Sequence, residues 1–264
     1  MKYSKLLIII FLFSSFSGLA QTPVEEDQTV QKVGIQYSFI HFDKRFEQPW
    51  HLATASYSRN LKSAYIGLNL NYANRFQQNA SEIELETYPK FKKGLYAYVG
   101  GGMKLNSNQL FPDYRLGVSI YKSLPNKFEL ETGLRHLAFN DITNVWVLGF
   151  GKYVGNSYLN LRSYWTKNES RWNESFIFTA KFYLSDDRHD YWSLNAGTGI
   201  AFDDRTQINN VVYQLNSFRA GIDYSKNINP KTIVKAGFQW INEEYLNDTF
   251  GNQFGFNAGI HLKL

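Results

Sequence analysis

The sequence contains no cysteine, which excludes disulfides and thiolate metal sites and suits an exported bacterial protein stabilised by other means. Proline is scarce, at 6 of 264 residues. A chain with few proline breaks keeps its backbone donors available for long stretches of sheet. Beyond the N-terminus no apolar run approaches the roughly 20 residues of a spanning helix, so a helical inner-membrane protein is excluded. Charge of one sign is also lacking: 28 Lys and Arg face 23 Asp and Glu, for a formal net charge of +5. The basic residues alternate with apolar ones and form no patch, which argues against a nucleic-acid partner.

What the sequence does have begins with a targeting segment. Lys2 and Lys5 form a positive start, Leu6 to Phe13 is an apolar run, and Gly18-Leu19-Ala20 supplies small residues before a cleavage point. This is the pattern of a secretory signal peptide. The expected organisation is a signal peptide over residues 1–20 and one domain over 21–264, with Gln21 to Lys32 as a polar lead-in. No cysteine follows Ala20, so no lipoprotein anchor is expected.

The rest of the chain is dominated by a period of two. Phe254, Phe256, Ala258, Ile260, Leu262 and Leu264 share one parity, and Gly255, Asn257, Gly259, His261 and Lys263 share the other. The same alternation separates Phe128, Leu130 and Leu134 from Glu129, Glu131 and Arg135. It separates Tyr114, Leu116, Val118 and Ile120 from Arg115, Gly117 and Ser119. Each segment is a strand with one apolar and one polar face. The apolar faces are too many to fill one small interior, so they are expected to face lipid. Segments of about ten alternating residues joined by turns are the pattern of a transmembrane barrel. The predicted fold is therefore all-β: a single antiparallel transmembrane β-barrel of about 12–14 strands with short periplasmic turns.

Loop lengths point the same way. Short turns are expected at Asn60-Leu61-Lys62, Pro89 to Lys93, Leu124-Pro125-Asn126, Val154-Gly155-Asn156 and Asn227 to Pro230. Longer external connections are expected at Asp43 to Pro49, Leu105 to Phe111, Lys167 to Arg171, Asp203 to Asn210 and Asn242 to Gly251. Ser185 to Asp190 breaks the trend on the periplasmic side. The tryptophans fall near strand ends, and Trp50, Trp146, Trp165, Trp172, Trp192 and Trp240 are assigned to an interfacial aromatic belt.

No residue set reads as an active site. The polar parity carries Arg75, Glu82, Glu84, Glu86, Arg115, Glu129, Glu131, Arg135, Arg162 and Lys181, expected to form a charge network in the lumen. Like charges two residues apart repel unless opposite charges face them. Ion pairing that fills the barrel is preferred over a solute-binding lining, since ionisable groups there need partners in either case. The histidines lie at positions 41, 51, 136, 189 and 261, and none adjoins a serine in a recognisable motif. Asp186-Asp187-Arg188-His189-Asp190 reads as a soluble turn before it reads as a cation site. Gly100-Gly101-Gly102-Met103-Lys104 lacks the spacing of a phosphate loop. No catalytic residue, metal site or cofactor is called for.

Several stretches resemble the YaiO-type outer-membrane β-barrel family. They include Asn74-Arg75-Phe76 with Glu82, Glu84 and Tyr88-Pro89, and Phe111-Pro112-Asp113-Tyr114-Arg115. The most specific is Tyr153-Val154-Gly155-Asn156-Ser157-Tyr158 continuing to Tyr164; Asp190-Tyr191-Trp192 continues it. The resemblance implies a monomeric outer-membrane barrel, an accessory of the envelope sometimes associated with surface polysaccharide, with no established activity. The expected partners are outer-membrane lipid, barrel-assembly machinery through the C-terminal strand, and surface polysaccharide. The expected role is a small channel or envelope accessory protein. The alternatives are a purely structural barrel with a plugged lumen and, from another class, a barrel enzyme modifying lipid or glycan.

Overall fold

A computed structural model describes residues 30–168, 171–199, 216–246 and 248–264. The proposed signal peptide, most of the lead-in and the expected loop at Asp203 to Asn210 lie outside the described residues. Among the described residues fourteen antiparallel strands close into one barrel. In chain order they are β1 (Gln31–Phe42), β2 (Trp50–Asn60), β3 (Ala64–Arg75), β4 (Gln78–Pro89), β5 (Leu95–Lys104), β6 (Tyr114–Leu124) and β7 (Phe128–Ala138). They continue with β8 (Ile142–Val154), β9 (Ser157–Asn168), β10 (Arg171–Tyr183), β11 (Tyr191–Thr198), β12 (Ser217–Asn229), β13 (Thr232–Leu246) and β14 (Thr249–Lys263). Each pairs with its sequence neighbours, and β1 closes on β14 from Lys32 opposite Lys263 to Phe42 opposite Gln253. Closure leaves no unpaired edge, which a sheet in lipid cannot tolerate.

Alternation decides which side chains meet lipid. Leu116, Val118, Ile120, Leu148, Phe150, Phe256 and Ile260 all stand on the outer face and are exposed. Leu116 is 56% exposed and Leu148 53%. In water such a surface would aggregate; facing acyl chains, it is what holds the barrel in place. Trp146, Trp165, Trp172, Trp192 and Trp240 are on this outer face. Trp146 pairs across the ladder with Trp165 and Trp240 with Phe254; Trp172 and Trp192 are exposed.

Trp50 departs from the expected belt. Its ladder partner is Ile40, whose parity is inward, and Trp50 is only 3% exposed. Position along the strand is right for a belt, but the parity of β2 turns the indole into the lumen. The external connections differ too. Lys167 to Arg171 and Asn242 to Gly251 are largely strand where described, because β9 runs to Asn168, β10 starts at Arg171, β13 runs to Leu246 and β14 starts at Thr249. At the β3–β4 hairpin both central residues, Phe76 and Gln77, have positive φ of 52° and 61°. That is the two-residue turn whose twist matches a hairpin, made without glycine.

Candidate functional site

The lumen has three layers. At the external end, the β5–β6 connection folds inward. Its Leu110, Phe111 and Pro112 are buried, Phe111 to 1%. Leu110 and Phe111 complete an apolar cluster with Ile40, Phe42, Trp50, Leu52, Ala73 and Ala80. Phe42, Phe46 and Phe76 pack on Trp50 with ring centroids 4.6 to 5.1 Å apart. The Arg75 guanidinium lies 4.6 Å over the Trp50 ring. The loop is tied down by Leu105 N–H donating to Ser81 O and by the Lys104–Asp113 ion pair.

Below it, β3 to β9 carry the charged residues singled out from the sequence. Glu131 is central. It accepts from Ser119 and Tyr121 at 2.9 and 2.8 Å, and from both Nε and a terminal nitrogen of Arg162 at 2.8 Å. Arg135 stands 3.8 Å from it, donates to Ser119 Oγ, and lies 4.8 Å over the Tyr98 ring. Arg115 pairs with Glu84 at 3.1 Å. Asn71 donates to Glu82 and Glu84, and Thr54 donates to Asn71. Tyr96 and Tyr158 both donate to Glu129. Glu86 lies over Gly67. The glycines in this wall are spaces for long side chains: a Cβ on Gly149 would stand 2.8 Å from Glu131 Oε2. Lys181 is apart from this network. It sits on β10, with its ammonium 4.2 Å over the Tyr191 ring.

The opposite wall, β11 to β14 and β1, is different in chemistry. A chamber of about 250 Å³ is lined there by Gln36, Ser38, Asn195, Gln239, Gln253 and Asn257, with Asp223 as its charged group. Side-chain amides offer a donor and an acceptor each and carry no charge. They suit hydroxyl-bearing solutes and water. Gly255 also lines it, and a Cβ there would meet nothing closer than 3.7 Å. A second cavity of about 210 Å³ lies on the charged side, between Glu84, Arg115, Tyr121, Arg135 and Arg162.

At the periplasmic end, the Ser185 to Asp190 turn folds back over the mouth. Lys32 on β1 donates to His189 Nε2 at 3.1 Å, and Lys263 on β14 pairs with Asp187 at 3.2 Å. Asp190 accepts from Lys226 at 3.0 Å and from the Asn227 N–H at 2.6 Å. Asp187 and Asp190 of this turn are thus engaged by lysines and backbone. Burial and then the Lys32 charge push the His189 imidazole down, to about 4. Among the described residues no group of three or more His, Asp and Glu side chains is placed to hold a metal ion. His41, His51 and His136 face outward, His51 against Tyr37 and His136 against Asn144 and Tyr114. Among the described residues no serine hydroxyl hydrogen-bonds to a histidine ring.

The amide chamber and the inturned loop were not anticipated as features. The chamber had a signal in the Gln and Asn residues of inward parity on β1, β13 and β14. The loop had one in the apolar triplet Leu110-Phe111-Pro112 following four polar residues.

Comparison with known proteins agrees with this architecture. The outer membrane protein Omp33 of Acinetobacter baumannii superimposes with a TM-score of 0.52 at 12% identity, over 88% of this chain and 97% of that one. The CymD monoaromatic hydrocarbon channel superimposes with a TM-score of 0.55 at 8% identity, over 90% of this chain and 89% of that one. At such identities the likeness is one of fold. No curated protein matches the chain. The YaiO membrane beta barrel domain matches residues 30–204. The chain therefore belongs to the YaiO family of outer-membrane β-barrels.

Proposed function

We propose that this outer-membrane barrel is a non-enzymatic, narrow conduit for small hydrophilic solutes, passing along the β11–β14 and β1 wall. The observation that carries this reading is the amide-lined chamber, a polar space with Asp223 as its one charged lining group, inside a barrel whose opposite wall is filled by ion pairs. Neutral amides replace the hydration of a passing solute without holding it by charge, which conduction requires. The outer face takes lipid as its partner and β14 is the strand that the barrel-assembly machinery engages. Surface polysaccharide is the source of solute that goes with the family resemblance.

The test is single-channel recording on refolded protein with Gly255→Trp as the variant. The wild type is expected to give small steady conductance and Gly255→Trp to reduce it several-fold, since the indole enters the chamber. A wild-type barrel silent at every voltage would overturn the conduit. The second reading, a structural barrel with a plugged lumen, is favoured by the Phe111 cluster closing the external mouth. It predicts that silence, with current appearing only after the closing loop is shortened.

A further inference from the structure

The periplasmic mouth carries a group of cations that neither the ion-pair network nor the conduit accounts for. Lys235 on β13 and Lys181 on β10 turn inward and are half-buried. Among the described residues neither has an ion-pair partner within 4.0 Å. On the ladder Asp223 lies between the two, beside Ser193, which pairs with Lys181, and two residues from Ser225, which pairs with Lys235; Lys32 and Lys181 repel Lys235 and Asp223 attracts it. Lys32 and Lys263 are direct cross-strand neighbours, a placement of like charges that costs stability. Half-buried cations so close together need a counter-charge.

Two histidines report the sign of the field here. An ammonium has only donors, so the Lys32 contact at 3.1 Å makes His189 Nε2 an acceptor and the ring neutral. His261, on β14 between Gly34 and Ile233, has Nε2 buried without a hydrogen-bond partner. A neutral imidazole with that nitrogen protonated is a donor without an acceptor. The anions facing the group are Asp187, already on Lys263, and Asp223. With the rest of the turn included, Lys32, Lys181, Lys226, Lys235, Lys263 and Arg188 stand against Asp186, Asp187, Asp190 and Asp223, so among these described residues the mouth is positive by two.

We infer that this vestibule is a binding site for an oxyanion, a phosphate or carboxylate group, held by Lys235, Lys181 and Lys32 with His261 as a neutral donor. Charge-assisted bonds from ammonium groups are the strong ones for such ligands. The site stands on the periplasmic side of the amide chamber, so a solute bearing an acidic group and hydroxyls would meet both. The inference does not depend on whether the lumen conducts.

The experiment is a titration of the refolded full-length mature chain with inorganic phosphate, followed by the imidazole resonances of His189 and His261. Sodium chloride at matched ionic strength is the reference. The expected result is a saturating shift of both rings in the millimolar range, with the His189 titration midpoint moving up as the anion offsets the lysines. Lys235→Gln is expected to weaken binding at least tenfold, while Lys235→Arg and the turn variant Lys92→Gln keep it. Heat-modifiable gel migration verifies that each variant is a folded barrel. Glucuronate saturating the same shifts where glucose does not would support a sugar-borne acid as the source; phosphate alone would support a free anion. Shifts that grow linearly and equally with chloride, or that survive Lys235→Gln unchanged, would overturn the site. A silent barrel that still binds phosphate overturns the conduit and leaves this inference standing.

Discussion

Replacing Glu131 by glutamine is the most informative single change, because its cost reports the dielectric of the lumen. The Glu131 side chain is 2% exposed, Arg135 6% and Arg162 28%. Two unit charges about 4 Å apart attract by about 4 kcal/mol at an effective dielectric near 20, and by about 1 kcal/mol in water. Breaking a buried pair by removing one partner costs about 3–5 kcal/mol, because the other charge is left uncompensated. Arg162 is partly open to solvent, which moves the expectation to the lower end, about 3 kcal/mol. The assay is equilibrium unfolding in urea, in bilayers of short-chain phosphatidylcholine, followed by tryptophan fluorescence. Glu131→Gln combined with Arg162→Met is expected to recover part of the loss, since the pair is then removed together. A loss below about 1 kcal/mol, the level of an exposed pair, would refute the packed wall and leave a wide, watery lumen.

Other expectations follow from the same geometry. Trp50→Ala removes the centre of the external cluster and is expected to cost about 3–5 kcal/mol in the same unfolding assay; Trp146→Ala, facing lipid, is expected to cost less. Gln77→Gly relieves a left-handed non-glycine residue and is expected to stabilise by about 1 kcal/mol. Leu148→Arg places a charge on the lipid face and is expected to cost about 2–4 kcal/mol if the residue lies at the bilayer midplane, read as reduced folded fraction on gels. Acid acts on the periplasmic turn in two windows. His189 titrates near 4 when folded against about 6.5 unfolded. The unfolded chain therefore takes the proton first, and stability falls as pH drops from about 6.5 to about 4. Burial pushes the Asp190 carboxyl up, but the Asn227 N–H and Lys226 outweigh it and hold its pKa below the ordinary value. Its contribution is present above about pH 4 and is lost below it. Hydrogen exchange at residues 185–190 across this range, with His189→Gln and Asp190→Asn as controls, separates the two steps.

Much of the fold was legible because lipid enforces strict alternation: one residue of slip would turn a whole strand inside out. That is why Leu116, Leu130 and Phe256 could be placed outward from parity alone, and Glu84, Arg115, Glu131 and Arg135 inward. Trp50 was misplaced because its position was weighed without its parity, and parity requires knowing where β2 begins. The partners inside the lumen were less legible. Alternation says that Glu131 and Arg162 face the same space, but only the ladder, with β7 and β9 each flanking β8, brings them together. The Ser185 to Asp190 turn broke the length pattern in the sequence for a physical reason: it is long enough to fold over the mouth and reach Lys32 and Lys263. The amide chamber draws on five strands, and no local pattern marks a space assembled across so much of the wall.

The seam between β1 and β14 has one more implication. The Leu264 N–H donates to Gln31 O at 2.9 Å, so the described chain ends beside the place where its first strand starts. Topologically the described barrel is a ring of fourteen strands in which every neighbouring pair but β14 and β1 is consecutive in the chain. A linker of a few residues there would complete the ring, and a cut at any external connection would give a permuted chain with the same ladder. Since residues 32–42 pair with 253–263, the native ring cannot shut until almost the whole chain has been delivered. A permuted chain would move that last-made contact to another pair of strands without altering the finished wall.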